Sequence, residues 1–259
     1  MNTQNPTVKL LVVVGCCTDD APRAERLLDF IYWQNDRKAD GHALIVVSPD
    51  VHAELQKKLS IAAELAFESF DLIVAKASDL QTNGGKPEHV NNLIRNAAIT
   101  VQRSYAWPWI WLEPDCVPLT PSWKRKLFDE YDAQPRPYMG ARLKLQSGDV
   151  IPTRQAIYPR YAGTELDPHL RSEVPFERAA YALLLPKFAK TKLIQQFPIA
   201  GKEDIAKVRT DAVLLHGDKK QILLNHLFDG FQTTQGIFQG VNVPVSERKA
   251  GKKKATATT

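Results

Sequence analysis

Residues Trp107-Pro-Trp-Ile-Trp-Leu-Glu-Pro-Asp-Cys-Val-Pro-Leu119 form an apolar run that ends abruptly in two carboxylates, Glu113 and Asp115. Such a run predicts a buried strand. Because side chains two apart on an extended chain point to the same side, we expect both carboxylates to converge on one cation. Pro114 and Pro118 are expected to end the strand. Hard oxygen ligands suit Mg or Mn, whereas the simpler interpretation is a solvated strand end.

Apolar segments on both sides of this stretch alternate between two kinds of spacing. Continuous apolar runs predict strands at residues 9–14, 43–47, 71–75, 138–143 and 211–215. Helical spacing predicts helices after Pro22, after Ser48-Pro-Asp50, and over residues 88–105 and 122–131. Strands that alternate with helices predict an α/β fold with a mostly parallel central sheet flanked by helices.

The sequence loses its periodicity between residues 144 and 177, where proline, glycine, arginine and tyrosine dominate. We expect a long irregular segment there, because such segments in compact domains are often functional loops. Helices are predicted after it, over residues 176–185 and 187–196. The loop expected at 83–87 precedes the helix that begins near residue 88.

A second motif, His216-Gly-Asp-Lys219, follows the late predicted strand. Imidazole nitrogen is a good ligand for Mn, and lysine is a point charge suited to a diphosphate. The tetrapeptide alone is more typical of a surface turn than of a ligand site. Its distance along the chain from Glu113 and Asp115 makes it informative, because two remote motifs then supply complementary chemistry.

Composition and charge are those of one globular domain over residues 1–246, with a basic tail over 247–259. The chain has 259 residues, 44% apolar and 24% charged, a net charge of +5 and a pI near 9.0. Five basic residues and one acid in the tail carry +4 of that charge, which leaves +1 for the rest. We expect the tail to be disordered, and either to hold nucleic acid through phosphates or simply to aid solubility.

Membrane and secretory features are not expected from this sequence. No apolar run approaches the roughly 20 residues of a membrane span, and residues 1–6 are polar. The three cysteines, Cys16, Cys17 and Cys116, show no CxxC spacing. Sparse, unpaired cysteines predict a reducing, cytoplasmic location without a disulfide or zinc framework.

The acidic stretch, together with Ser122-Trp123 and Glu130-Tyr131, resembles the Asp-X-Asp region of GT-A glycosyltransferases. It looks most like the small phage-type enzymes that carry Glu-Pro-Asp there and glycosylate hydroxymethylated bases in DNA. The resemblance covers the α/β first half and two separated motifs. It implies a metal-dependent transferase that uses Mn or Mg and a nucleotide-diphosphate sugar, most often a UDP-sugar.

The same resemblance implies roles for individual residues. Asp115 would bind the metal directly, Glu113 would bind it through water or hold the donor's ribose, and His216 would complete the ligands. Lys219 would neutralise the leaving diphosphate. The loop after the first strand would hold the nucleotide base and ribose through Cys17, Thr18, Asp19 and Asp20. One face of the helix that follows the loop at 83–87 would contact the donor sugar through Asn92, Arg95 and Asn96. Glu in place of Asp at the first position puts the direct metal contact of Glu113 in doubt.

The reaction's stereochemistry and acceptor stay open at this point. An inverting enzyme would need a base beside the acceptor, for which Asp167, His169 and Glu177 are candidates. The His-Gly-X-Lys sequence resembles some retaining families and favours retention. The basic tail and five arginines (Arg136, Arg142, Arg154, Arg160, Arg171) suit DNA as acceptor, with exposed aromatic side chains stacking a base. Bacterial GT-A enzymes that modify glycans are the competing class.

Other function classes fit the sequence less well. No GxxxxGK[ST] phosphate loop, GxSxG elbow, GxGxxG after the first strand or HExxH spacing is present. A nucleotidyltransferase would need a glycine-rich basic loop after the first strand, where Gly15-Cys-Cys-Thr-Asp-Asp20 stands. A non-catalytic DNA-binding protein that acts through its tail remains a distinct alternative, and the oligomeric state is left open.

Overall fold

The computed structural model describes residues 9–35, 39–76, 86–144, 148, 150–171 and 174–233. Within these residues the helices are α1 (Ala21–Asn35), α2 (Ala53–Ala66), α3 (Lys86–Ser104), α4 (Trp123–Asp132), α5 (Ala162–Leu170), α6 (Phe176–Ala179), α7 (Tyr181–Leu184) and α8 (Ile222–Thr233). Two short 3-10 helices span Leu185–Lys187 and Lys202–Lys207. The predicted tail, residues 247–259, and most of the predicted loop at 83–87 lie outside the described residues.

The strands form two sheets. They are β1 (Leu11–Cys16), β2 (Ala39–Val47), β3 (Phe67–Val74), β4 (Trp109–Leu112), β5 (Cys116–Pro118), β6 (Tyr138–Lys144), β7 (Val150–Tyr158), β8 (Phe188–Lys190), β9 (Ile194–Gln196) and β10 (Leu214–His216). The main sheet has the order β3-β2-β1-β4-β7-β6-β8, and the smaller one β5-β10-β9. In the main sheet only β7 runs against its neighbours. The prediction of a mostly parallel central sheet flanked by helices is confirmed.

Alternate residues of the central strands feed two hydrophobic cores, one on each face of the main sheet. Val12 and Val14 of β1 pack in the core that contains α1, α2, α8 and the smaller sheet. Leu11 and Val13 pack in the core that contains α3 and α5. Burial on both faces explains why the strand sequence is continuously apolar rather than alternating.

The connections change face between β1 and β4. Helices α1 and α2, which lead outward to β2 and β3, lie in one core, whereas α3, which returns to β4, lies in the other. β1 and β4 are parallel neighbours, with Leu11 opposite Trp109 and Val14 opposite Leu112. A crevice at such a switch point, beyond the carboxyl ends of the strands, is where open α/β sheets bind ligands.

Two sequence predictions are wrong in the middle of the chain. The segment predicted to be irregular contains β7 and α5, and the helix predicted over residues 187–196 is replaced by β8 and β9. The strand β7 reads Val-Ile-Pro-Thr-Arg-Gln-Ala-Ile-Tyr, in which buried polar residues interrupt the apolar pattern. Those polar residues serve the site described below, which is why periodicity did not reveal the strand.

No helix among the described residues combines the length and the apolar character that crossing a bilayer requires.

Gly15 lets the Trp111 ring pack against β1, and we expect Gly15→Ala to destabilise the fold. A Cβ at Gly15 would collide with the ring of Trp111, which is fully buried. Over-packing of this kind costs about 1–3 kcal/mol. Gly230→Ala in α8 is the matched control, because nothing lies within 4 Å of its added Cβ. Thermal melts should show a lower Tm for Gly15→Ala alone; equal melting temperatures for both variants would contradict this packing.

Candidate functional site

The two carboxylates lie on a tight turn between the two sheets. After β4 ends at Leu112, the amide of Cys116 donates a hydrogen bond of 2.9 Å to the carbonyl of Glu113, and β5 begins at Cys116. The side chains therefore converge because the chain turns. The expectation of one extended strand through Asp115 is wrong, because β4 ends at Leu112, before Pro114, and Pro118 is instead the last residue of β5.

Backbone hydrogen bonds join the acidic turn to the His216-Gly-Asp-Lys219 motif. The Asp115 carbonyl accepts from the amides of Gly217 (3.2 Å) and Asp218 (3.1 Å). Strand β10 pairs antiparallel with β5, which places His216 opposite Cys116. Gly217 has φ +122, and a Cβ there would also meet the carbonyl oxygen of Phe197. Glycine is thus required at the point where the two motifs meet.

Glu113, Asp115 and His216 form a compact set of possible ligands. One ligand atom from each lies within 4.8 Å of the others. His216 Nε2 is 3.1 Å from Glu113 Oε2 and 3.1 Å from Asp115 Oδ1. On its other side, His216 Nδ1 is hydrogen-bonded to Gln196 Oε1.

Arg154 of β7 balances part of the negative charge. It donates to both oxygens of Glu113 and, through Nη1, to Glu177 at 3.1 Å. Burial by itself raises the pKa of Glu113, but the charge of Arg154 and the hydrogen bonds from His216 and Arg154 outweigh it, so the pKa falls well below its usual value. Three carboxylates (Glu113, Asp115, Glu177) against one guanidinium leave two formal negative charges, which one divalent cation would balance.

The residues present fit a divalent cation. Asp115 is 6% exposed, and its buried Oδ1 has His216 Nε2 as a neighbour at 3.1 Å. Once His216 is neutral this oxygen would be left without a partner, which is costly, and a cation would satisfy it. Two carboxylates and an imidazole are donors that Mn and Mg accept, with imidazole favouring Mn.

His216 carries the proton that a cation would displace. Burial lowers its pKa, but hydrogen bonds and charge from Asp115 and Glu113 more than compensate and raise it to about 9. The metal-free site therefore holds an imidazolium at neutral pH, and a bound metal requires the neutral ring.

The loop after β1 lies next to the loop after β10. Arg23 of α1 pairs with Asp20 and donates a hydrogen bond of 2.9 Å to the carbonyl of Lys219. Gln221 in turn donates to the carbonyl of Arg23 at 3.1 Å. Cys17 donates its thiol proton to Asp20 at 3.3 Å, and burial raises the pKa of that thiol. The predicted nucleotide loop and the predicted diphosphate lysine thus share one rim of the crevice.

Other members of these loops have structural partners or remain exposed. Ser48 and, to a smaller extent, Thr18 lower the pKa of Asp50, which follows the end of β2. Asp19 is exposed, and so is Lys219. Asp218 is fully buried and accepts from the amides of Ile222 and Leu224, so it caps α8.

The predicted sugar-binding face of α3 has partners within the protein. Asn92 donates to the carbonyl of Lys76 at 2.8 Å, and Asn96 Oδ1 accepts from the amide of Lys76 at 3.0 Å. Arg95 pairs with Asp167, and this contributes to lowering the pKa of Asp167 against the opposing effect of burial. These contacts hold α3 against the end of β3 and against α5. Contact of Asn92, Arg95 and Asn96 with a donor sugar stays a prediction.

Three residues of the site have roles that sequence reasoning did not assign. Gln196 and Arg23 were not considered, and Arg154 was noted only as one of several arginines. Arg154 lies on a strand that was not predicted; the antiparallel register of β7, with Ile110 opposite Ile157, carries Arg154 to the level of Glu113. The apolar residues on both sides of Thr153, Arg154 and Gln155 are the sequence feature that could have identified this strand, and with it Arg154.

Three solved structures of glycosyltransferases have a similar fold. Mouse xyloside xylosyltransferase 1, in its apo form, matches with a TM-score of 0.53 at 11% identity, over 82% of this chain and 98% of that one. The glycosyltransferase GlyE of Streptococcus pneumoniae TIGR4 matches with a TM-score of 0.54 at 10% identity, over 90% and 66%. The galactosyltransferase LgtC, in complex with donor and acceptor sugar analogues, gives 0.52 at 7% identity, over 87% and 96%.

The chain has the GT-A fold. At these identities the likeness shows the fold alone, and it confirms the predicted fold class. A scan against protein-family models and a search of curated protein sequences gave no match.

Cation binding should depend steeply on pH. Because the pKa of His216 is raised to about 9, a cation must displace a proton at any lower pH. We expect the apparent affinity for Mn to fall about tenfold per pH unit from pH 8 to pH 6.5, with release of one proton per ion. Electron paramagnetic resonance of free Mn, with calorimetry in buffers of different ionisation enthalpy, measures both. Affinity that is flat over this range, without proton release, would contradict a protonated His216.

Proposed function

We propose that this protein is a metal-dependent glycosyltransferase that moves a sugar from a nucleotide-diphosphate sugar, a UDP-sugar in the first instance, to an acceptor hydroxyl. The observation that carries the proposal is the clustering of Glu113, Asp115 and His216 at the switch point of a GT-A sheet. Two motifs a hundred residues apart in sequence meet there through backbone hydrogen bonds.

The residues of the site have complementary roles in this reaction. Asp115 and His216 would hold the cation, and Glu113, fixed by Arg154, would either join them or orient the donor's ribose. A divalent cation bound there would supply positive charge against the departing diphosphate. Lys219 is exposed beside the β1 loop, so its ammonium can approach the same phosphates.

The carboxylates near the crevice favour a retaining outcome. Glu177 is paired with Arg154, and Asp167 is paired with Arg95 and Arg171. The guanidiniums beside Asp167 help lower the pKa of its carboxyl, which makes that group a poor base. The Glu177 carboxylate is engaged in its ion pair with Arg154, so neither acid is free to take a proton from an acceptor.

Two acceptors remain in competition. A 5-hydroxymethylpyrimidine in phage DNA is supported by the resemblance of the Glu-Pro-Asp motif and by the basic tail. A glycan hydroxyl as acceptor is supported by the contacts of the five arginines that were predicted to bind DNA. Most of these arginines contact groups of the protein itself. Arg136 and Arg142 donate to the carbonyl of Phe188, Arg154 pairs with Glu113, and Arg171 pairs with Asp167, whereas Arg160 is exposed.

We also propose a cytoplasmic location. Cys16, Cys17 and Cys116 are all free thiols, and Cys16 and Cys116 are buried. Buried free thiols without a disulfide are typical of proteins that work in a reducing compartment.

Substitution Asp115→Ala should abolish metal-dependent donor binding. Removal of a direct ligand is expected to weaken Mn affinity by more than about 100-fold, since even a residue that only supports a ligand costs 10–100-fold. Calorimetric titration of UDP with Mn, and again with chelator, measures the effect. Asp129→Ala is the control, because Asp129 lies in an exposed surface pair with Arg125. Failure of wild-type protein to bind any nucleotide diphosphate would overturn the proposal.

Removal of residues 247–259 separates the remaining alternatives. With DNA as acceptor, the truncated enzyme should keep its kcat while its KM for DNA rises and becomes less dependent on salt, because phosphate contacts are lost. With a glycan acceptor neither constant should change. A non-catalytic DNA-binding protein would lose DNA binding on truncation and would be unaffected by Asp115→Ala.

A further inference from the structure

Gln196 lies directly beside the histidine of the candidate metal site. Strands β9 and β10 are parallel neighbours, and their register pairs Gln196 with His216. The amide of Phe197 donates to the His216 carbonyl at 3.0 Å, which continues the pairing past the two side chains. Gln196 Oε1 is hydrogen-bonded to His216 Nδ1. The contact is therefore set by strand pairing rather than by a flexible loop.

The orientation of the Gln196 amide is fixed by two further side chains of β7. Its Nε2 donates to Thr153 Oγ1 and to Gln155 Oε1, each at 3.3 Å. The Thr153 hydroxyl donates its own proton to the Ala141 carbonyl at 3.2 Å, which leaves its oxygen to accept. Thr153 and Gln155 are both buried. Because the Thr153 hydroxyl gives its proton to Ala141, its oxygen accepts, so the donor Nε2 faces Thr153 and Oε1 faces His216.

This orientation determines which nitrogen of His216 carries the proton in the neutral ring. An amide oxygen can only accept, so the facing Nδ1 must be protonated. The lone pair of the neutral imidazole is then on Nε2, which faces Glu113 and Asp115 at 3.1 Å. The other tautomer would aim an N–H at the cation and a lone pair at the amide oxygen. Partners of this kind fix the ring and tautomer of metal-binding histidines.

We propose that Gln196 is a positioning residue that selects the Nδ1–H tautomer of His216 and so makes Nε2 available to a divalent cation. The inference rests on the cation site of the proposed function, but it needs neither donor nor acceptor sugar. Thr153 and Gln155 contribute to the same positioning, because their contacts with Nε2 oppose a 180° rotation of the Gln196 amide.

Mn affinity, measured by electron paramagnetic resonance without nucleotide, tests the proposal first. Gln196→Leu removes the acceptor and should weaken Mn binding about 10–100-fold. Gln195→Leu is the control: Gln195 is the preceding residue of β9, is more buried than Gln196, and makes two hydrogen bonds, to Lys207 and Arg209, away from the site. We expect it to melt at a similarly lowered temperature and to bind Mn within about twofold of wild type.

Gln196→Glu gives a second variant that does not depend on how Gln196→Leu folds. A carboxylate also accepts from Nδ1–H, so Mn affinity should stay near or above that of wild type, although the donations to Thr153 and Gln155 are lost. A merely structural role for Gln196 predicts that both substitutions weaken Mn binding alike, or that Gln196→Leu matches Gln195→Leu. Either result would overturn the proposal.

Nitrogen-15 NMR of labelled histidine reads the tautomer in protein loaded with diamagnetic Mg, because in the metal-free site Glu113 and Asp115, each 3.1 Å from Nε2, themselves accept a proton from that nitrogen. Wild type should show a protonated Nδ1 and an unprotonated Nε2, and Gln196→Leu a mixture with the opposite form. His216→Asn identifies the signal. Wild type with an unprotonated Nδ1, or no binding of Mn or Mg, would overturn the inference. Failure to bind a nucleotide diphosphate would overturn the proposed function alone, because the Mn and NMR comparisons need neither donor nor acceptor.

Discussion

The antiparallel pairing of β5 with β10 is the interaction on which the candidate site depends. It brings a turn near residue 115 against a strand end near residue 216, and the Asp115 carbonyl completes the junction by accepting two amides from the following turn. Neither motif alone indicates a metal site, because two carboxylates on a turn, or one histidine on a strand, are common surface features. Their joint capacity to hold a cation comes from this pairing and from Gly217, whose positive φ lets the chain pass Phe197.

Charge balance is the second constraint on the site. Burying carboxylates is costly unless they are paired, and the protein brings in Arg154 for that purpose from the single strand that runs against the rest of the main sheet. Arg154 neutralises only part of the charge. The proton on His216 offsets one further negative charge in the metal-free state, and a cation can take the place of that proton.

Around this centre, buried polar residues form a continuous network rather than isolated exceptions to an apolar core. Glu177 holds Arg154, Arg154 holds Glu113, and Gln196 holds His216. On the other rim, Arg23 links the β1 loop to the carbonyl of Lys219. Such networks limit the movement of the groups that must meet a ligand, and they require strands whose sequences break the simple apolar pattern.

The sequence by itself determined the α/β class, the first four strands and their helices, and the identity of the residues with metal-binding chemistry. It could do so because these features are local: continuous apolar runs, helical spacing, and carboxylates at a strand end. Only the tertiary structure decided that the acids lie on a turn, that β7 and β9 exist, and that Arg154 and Gln196 reach Glu113 and His216. Those contacts join residues tens of positions apart through strand register, and no local pattern encodes a register between strands that are distant in the chain.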